Sequence, residues 1–254
     1  MYPILFKIGF LEIRTYGLIL FLAFMAAMLY LKNRATKAGI PKEYVYDLTF
    51  WVVLAALVGS RILFVIYEWE FFSHNILKVF AIWEGGLVFY GGVLLAIPTA
   101  IIYMKKKRLP LWSIADWIAP GFALGITIGR WGCFFNGCCF GKPTDLPWGV
   151  IFPPYSEAGS TFPGIPLHPT QIYESFAELF VFFILIRIER MKPFEGFVFW
   201  VFIALAAFIR FVVDFLRFYE PSVRIFTIFN VNQVVSLFLI LISIFIILYL
   251  RKRG

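Results

Sequence analysis

The chain has 254 residues, of which 61% are hydrophobic and 20% aromatic, and its mean hydropathy is +0.86. Soluble domains hold about 45–50% apolar residues, so the composition excludes an ordinary soluble domain and makes the lipid bilayer the solvent. The net charge of +8 would suit a nucleic-acid binder, but the basic residues sit between apolar runs, where they read as a topology signal, and no nucleic-acid partner is expected.

The N-terminal stretch MYPILFKIGFLEIRTYG lacks a basic region followed by a small-residue cleavage site, so a cleaved signal peptide is not expected. Seven apolar runs follow, each near the roughly 20 residues that span a bilayer. They cover residues 16–31, 46–67, 86–104, 112–128, 170–188, 196–216 and 231–250. One set of connections carries fourteen basic residues: Lys32, Arg34, Lys37 and Lys42, the KKKR run at 105–108, Arg187, Arg190 and Lys192, and the RKR run at 251–253. The alternate connections carry only Lys78, then Arg130 and Lys142, then Arg217 and Arg224. Positive charge marks the cytoplasmic side. The pattern predicts an all-α polytopic membrane protein of seven transmembrane helices, N-terminus outside and C-terminus cytoplasmic, forming a single integral-membrane domain over 1–254. Residues 142–169 contain half of the 14 prolines, which rules out a regular helix and predicts a small Pro-rich extracytoplasmic loop or cap.

An ionisable or strongly polar residue inside a span is costly and marks a candidate site. In chain order, Arg14 and Tyr16 stand at the outer end of the first span, where Tyr16 also fits an aromatic belt. Arg61 lies within the second span, in GSRILFVIYE. Tyr90 is enclosed by Gly85–Gly86 and Gly91–Gly92. Those glycines permit either close helix packing, the preferred reading, or approach of a ligand to the backbone. The stretch GRWGCFFNGCCFG, residues 129–141, holds Arg130, Asn136 and all three cysteines. Its glycines at 129, 132, 137 and 141 predict tight, non-helical backbone lining a cavity. The fifth span opens HPTQIYE, where Pro169 fits a first helical turn and His168 is either a surface cap or a ligand contact. Gln171, Glu174 and Glu178 form a polar stripe, and Glu174 calls for an arginine on another helix, because an unpaired buried carboxylate is expensive. In RFVVDFLR, Arg210, Asp214 and Arg217 share one helix face. Asp214 can pair with either arginine. A pair that merely staples helices competes with a second reading, in which the surplus positive charge receives a phosphate. Arg61, Arg130, Arg210 and Arg217, with Glu174 and Asp214, thus suit an anionic head group on an apolar tail, and a phospholipid fits better than a soluble anion.

Cys133, Cys138 and Cys139 give the spacing C-x4-C-C. Structural zinc takes four ligands. A fourth would have to be His74 or His168, so no metal is expected. A disulfide between Cys133 and one of the pair is open on an oxidising face. A catalytic thiol would want a neighbouring base, and none is adjacent. Small packed residues are the leading reading.

Taken together, YGL at Tyr16, GSRILFVIYE, WEGGLVFYGG, GRWGCFFNGCCFG, HPTQIYE and RFVVDFLR resemble the bacterial prolipoprotein diacylglyceryl transferases along nearly the whole chain. The resemblance implies transfer of the diacylglyceryl group of phosphatidylglycerol to the lipobox cysteine thiol of a preprolipoprotein, at the outer side of the bacterial cytoplasmic (inner) membrane, with release of glycerol phosphate and no cofactor. It implies catalytic roles for Arg130, Arg210, Tyr90 and Glu174. Arg130 matches the family's signature arginine and Arg210 its second functional arginine. Phosphatidylglycerol would be held by Arg130, Tyr16, Arg61, Asn136, Gly141, His168, Gln171, Asp214 and Arg217. The chain also departs from the family's pattern. Tyr90 stands where many members have histidine, Asp214 where glutamate is common, Cys133 where many have asparagine and Cys138 where many have glutamate. These departures keep open a related lipid-processing transferase with another acceptor or head group. An anion or lipid transporter is a further alternative, disfavoured because the polar groups concentrate in the outer half.

Overall fold

The structure, a computed structural model, describes residues 4–8, 11–219 and 229–252. Arg224 and Arg253, which belong to the charge pattern above, lie outside the described residues. The chain divides into two compact units, one of residues 1–31 and 115–254 and the other of residues 32–114.

The larger unit opens with an antiparallel hairpin, β1 (Ile4–Ile8) and β2 (Leu11–Arg14). Beyond this short hairpin the architecture is helical, as the all-α reading expects, and the helices begin at α1 (Thr15–Lys37). The unit continues with α5 (Leu111–Asn136), the short α6 (Glu157–Thr161), α7 (Thr170–Glu189), α8 (Phe197–Leu216) and α9 (Val231–Arg251). The smaller unit holds α2 (Lys42–Tyr67), the one-turn α3 (Trp69–Ser73) and α4 (Phe89–Lys106).

Each of the seven apolar stretches falls on one of these helices. Five of them, α1, α2, α5, α8 and α9, are long and apolar enough to cross a membrane. Of the other two, α4 ends in Lys105–Lys106 and α7 carries Glu174, Glu178, Arg187 and Glu189. The faces of α1, α8 and α9 expose Phe21, Phe208, Phe238 and Phe245, which a bilayer rewards and water does not.

Inside the larger unit, Ala119, Ala123, Val181, Leu185, Val198 and Phe202 form a buried core shared by α5, α7 and α8. Small residues on α5 let α1 approach: a Cβ at Gly132 would lie 3.3 Å from the Tyr16 ring. This corrects the expected backbone of the glycine-rich stretch. Gly129 and Gly132 serve close helix packing, and α5 stays helical through Asn136. Only from Gly137, with φ +69°, does the chain leave the helix.

Two polar devices fix helix starts. The fully buried carboxylate of Asp116 on α5 accepts from the backbone amides of Gly196 and Phe199 and from Lys192 Nζ, holding the N-terminus of α8. Asn230 and Gln233 form a reciprocal capping box at the start of α9.

The proline-rich stretch folds around its own small core of Phe140, Phe152, Ala158 and Leu167. Val150 and Leu167 exchange backbone hydrogen bonds, and Ser156 caps α6. Phe218, just past α8, stacks on Phe140 with ring centroids 5.6 Å apart, which ties the end of α8 to this core.

In the smaller unit, α2 and α4 pack through their glycines. A Cβ at Gly91 would lie 2.3 Å from the Gly59 carbonyl oxygen, and one at Gly92 2.6 Å from Ser60 Oγ. No side chain fits at either crossing.

Candidate active site

Three helices and the strand-like segment after α8 bring the charged residues of the larger unit to one carboxylate. Glu174 stands one turn into α7. Arg130 on α5 donates from Nη2 to Glu174 Oε1. The other carboxylate oxygen faces two more guanidiniums: Arg210 Nη1 of α8 at 3.9 Å and Arg217 Nη1 at 3.7 Å. The expected partner of Glu174 on another helix is therefore three arginines rather than one. Arg210 Nε also pairs with Asp214 Oδ1 at 3.2 Å, one turn on. Asp214 thus belongs to Arg210 rather than to Arg217.

Tyr219 completes this arrangement. Its hydroxyl receives from Arg210 Nη2 at 2.7 Å and from Asn232 Nδ2 at 3.2 Å, and donates to Asp214 Oδ1 at 2.9 Å. Burial pushes its phenol up to about 12, so it is a neutral donor at physiological pH. Sequence reasoning missed both Tyr219 and Asn232. Tyr219 lies five residues past Asp214, off the helical spacing that singled out its neighbours, and Asn232 belongs to another helix.

Arg217 is only 5% exposed, and its Nη1 has no hydrogen-bond acceptor among the described residues. Its position is set by backbone. Gly141 pairs with Arg217 as an isolated bridge, the Gly141 amide donates to the His168 carbonyl, and the Lys142 amide donates to the Leu216 carbonyl. A Cβ at Gly141 would lie 2.5 Å from His168 Cβ and 2.6 Å from its carbonyl oxygen. Three segments therefore meet at a residue that has to be glycine.

Gln171 and Thr170, in the first turn of α7, hold the cysteine turn: Gln171 Nε2 donates to the Cys138 carbonyl and Thr170 Oγ1 to the Cys139 carbonyl. His168 places Nδ1 3.3 Å from the Tyr173 hydroxyl, which also receives from Trp148 Nε1. Tyr16 packs on Gly132, half a turn from Arg130. Asn136 ends α5 and is exposed. Glu178, one turn deeper than Glu174, is 2% exposed and its Oε2 lacks a hydrogen-bond partner among the described residues.

Two of the residues expected at the site belong to the smaller unit. Arg61 donates all five of its N–H groups to backbone carbonyls: Nε to Val79, Nη1 to Gly85 and Gly86, and Nη2 to Lys78 and Ala81. Its guanidinium also faces the Phe64 and Phe72 rings at 5.5 and 5.2 Å. The expectation that Arg61 grips a phosphate is therefore corrected, because no donor is left over. Arg61 instead organises the loop between α3 and α4. Tyr90, the second residue of α4, is 61% exposed and meets Phe89 edge-on.

The structure thus gathers three guanidiniums, of which that of Arg217 is buried and those of Arg130 and Arg210 are partly exposed, around one shared carboxylate and one acid–phenol pair. Each guanidinium presents planar N–H forks suited to phosphate. Their orientation is set by protein groups before a ligand arrives.

The family model for prolipoprotein diacylglyceryl transferase matches residues 3–249. The chain is 34% identical, over 99% of its length and 97% of the relative's, to the phosphatidylglycerol–prolipoprotein diacylglyceryl transferase of Geobacter sulfurreducens. It is 33% identical to the protein of the same name from Listeria welshimeri, covering 99% of this chain and 90% of that one. The Acaryochloris marina protein of that name is 34% identical, with 99% and 92% covered.

Proposed function

The chain belongs to the prolipoprotein diacylglyceryl transferase family, and from that premise we propose that it transfers the diacylglyceryl group of phosphatidylglycerol to the lipobox cysteine thiol of preprolipoproteins. The observation that carries this reading is the convergence of Arg130, Arg210 and Arg217 on Glu174, with a buried Arg217 N–H lacking an acceptor among the described residues.

In the reaction the substrate's sulfur forms a bond to the terminal glycerol carbon of the diacylglyceryl group. The bond from that carbon to the phosphate oxygen breaks with its electron pair, and glycerol phosphate leaves. The thiol proton passes to a phosphate oxygen or to solvent. The enzyme needs no thiol of its own. Arg130 and Arg210 hold the phosphate and offset the charge that develops on the leaving oxygen, a type of contact whose removal costs about 100- to 1,000-fold in rate. Arg217 adds Nη1, which meets no acceptor among the described residues. Glu174 is held by three cations. Its role is to align the guanidiniums while leaving the cluster one positive charge over its two acids, Glu174 and Asp214. Gln171, Asn136, Gly141, His168 and Tyr16 shape the rim, and Tyr90 keeps the catalytic role that the resemblance implies, as a group that orients the substrate.

The protein is a multi-pass membrane protein. We read α4 and α7 as completing seven spans in a single integral-membrane domain of the bacterial inner membrane, N-terminus outside. The charged cluster and the proline-rich cap then face the outer side. The fourteen basic residues on the opposite connections support that orientation.

The test is expression in cells depleted of their own transferase, following the mass of a lipobox reporter. Gain of one diacylglyceryl group, lost with Arg130→Ala or Arg210→Ala, supports the proposal. No gain from a well-expressed protein refutes it.

A further inference from the structure

The three cysteines form a group that the transfer reaction does not use. Their Sγ atoms all lie within 4.8 Å of one another, and all three are free thiols, each partly exposed. Three sulfurs bound to one ion at about 2.3 Å in a trigonal plane stand about 4 Å apart, so the observed spacing needs only a small contraction. The sequence argument against zinc rested on a missing fourth ligand, and that objection does not touch ions satisfied by three sulfurs.

The turn that assembles the trio is built, not incidental. Cys133 sits on the last turn of α5, and the Cys138 amide closes back onto the Cys133 carbonyl. Cys139 is held at φ +61°, a left-handed conformation that a non-glycine residue keeps only where its surroundings enforce it. The enforcing groups are Gln171 and Thr170, whose buried side chains fix the Cys138 and Cys139 carbonyls. Gly137 cannot carry a side chain, since a Cβ there would lie 2.5 Å from Ser156 Cβ. Ligands oriented by such supporting contacts are the mark of a preorganised site.

Charge and chemistry select the ion. Arg130 lies three residues before Cys133 on the same helix face, and Arg217 bridges to Gly141, two residues past Cys139. Three thiolates around one monovalent ion leave two negative charges, which two guanidiniums can offset. Soft thiolate sets favour Cu(I) over harder ions.

We infer that Cys133, Cys138 and Cys139 form a three-coordinate thiolate site for a soft, low-valent metal ion of the Cu(I) class. As the three Cu–S bonds form, the three thiol protons leave to solvent, with no change of oxidation state. The inference does not rest on the transferase reading.

The full chain, purified in detergent under anaerobic reducing conditions, is titrated with Cu(I) against a chromophoric Cu(I) chelator, and the loaded protein is examined by X-ray absorption at the copper edge. One retained equivalent per chain, with three sulfur neighbours, is expected. Cys133→Ser, Cys138→Ser and Cys139→Ser should each lower copper affinity by about tenfold or more while keeping the size-exclusion profile of the parent. Copper lost to the chelator, or a shell of two sulfurs in the unaltered protein, would overturn the inference without any variant being needed.

Discussion

Replacing Glu174 by glutamine removes one negative charge with almost no change in volume. The glutamine can still accept from Arg130, so the loss is chiefly electrostatic. Arg217, at 5% exposure, loses the only anion within its reach among the described residues, Glu174 Oε2 at 3.7 Å. Coulomb's law gives about 4 kcal/mol for that separation at an effective dielectric constant near 20. Breaking a buried pair by removing one partner costs about 3–5 kcal/mol in practice. A loss near 3 kcal/mol lowers the unfolding midpoint of a chain of this size by about 6–12 °C. Thermal unfolding of the detergent-solubilised protein should show that drop, and transfer of the lipid to a lipobox peptide should fall with it. Phosphatidylglycerol should restore part of the midpoint in Glu174→Gln, because its phosphate replaces the missing charge. A variant that melts within about 2 °C of the parent, a shift worth under about 1 kcal/mol, and transfers normally would refute the idea that this carboxylate holds the arginines.

Other outcomes follow from the same geometry. Gly141→Ala forces a Cβ onto the His168 backbone and displaces Arg217. It should cost about 1–3 kcal/mol and on the order of 100-fold in transfer rate, whereas an active, stable variant would show the close approach to be dispensable. Tyr219 has a folded-state pKa raised by burial to about 12. Its stabilising contribution is therefore complete below about pH 10, the ordinary phenol value, and is lost as pH rises through 12. The stability of the unaltered protein should fall more steeply across that window than that of Tyr219→Phe, and identical alkaline limbs would contradict the assignment. Replacing Cys133, Cys138 and Cys139 together by serine should leave most of the metal-free transfer activity, measured on well-folded protein. A dead triple variant would give the cysteines a role in the chemistry.

How much of this was legible depends on the range of the interaction. Apolar runs mark long helices residue by residue, so the helices that carry them were visible, five of them long and apolar enough to cross a membrane. The i, i+4, i+7 set of Arg210, Asp214 and Arg217 was visible for the same local reason. Glu174 could be seen to need an arginine, yet the choice of three depends on how α5, α7 and α8 pack. Arg61 was misread because a guanidinium inside a span looks the same in sequence whether it meets a phosphate or a loop of carbonyls. The glycines at 129 and 132 were taken as backbone breakers, when helix packing against α1 is what they permit. The capping box of Asn230 and Gln233 was written in the N-x-x-Q spacing and passed over. Asn232 comes from a segment distant in sequence, and no helical period announces it or Tyr219.

The central claim is that clustered arginines activate a phospholipid for attack by a sulfur that arrives on the substrate. The most direct measurement incubates the purified protein with phosphatidylglycerol and a synthetic lipobox peptide, and records both the peptide mass and free glycerol phosphate. The account predicts equimolar appearance of glycerol phosphate and of peptide heavier by one diacylglyceryl group, attached at cysteine, and neither product when that cysteine is replaced by serine. Glycerol phosphate released without peptide modification, or transfer that persists in Arg130→Ala, would contradict it.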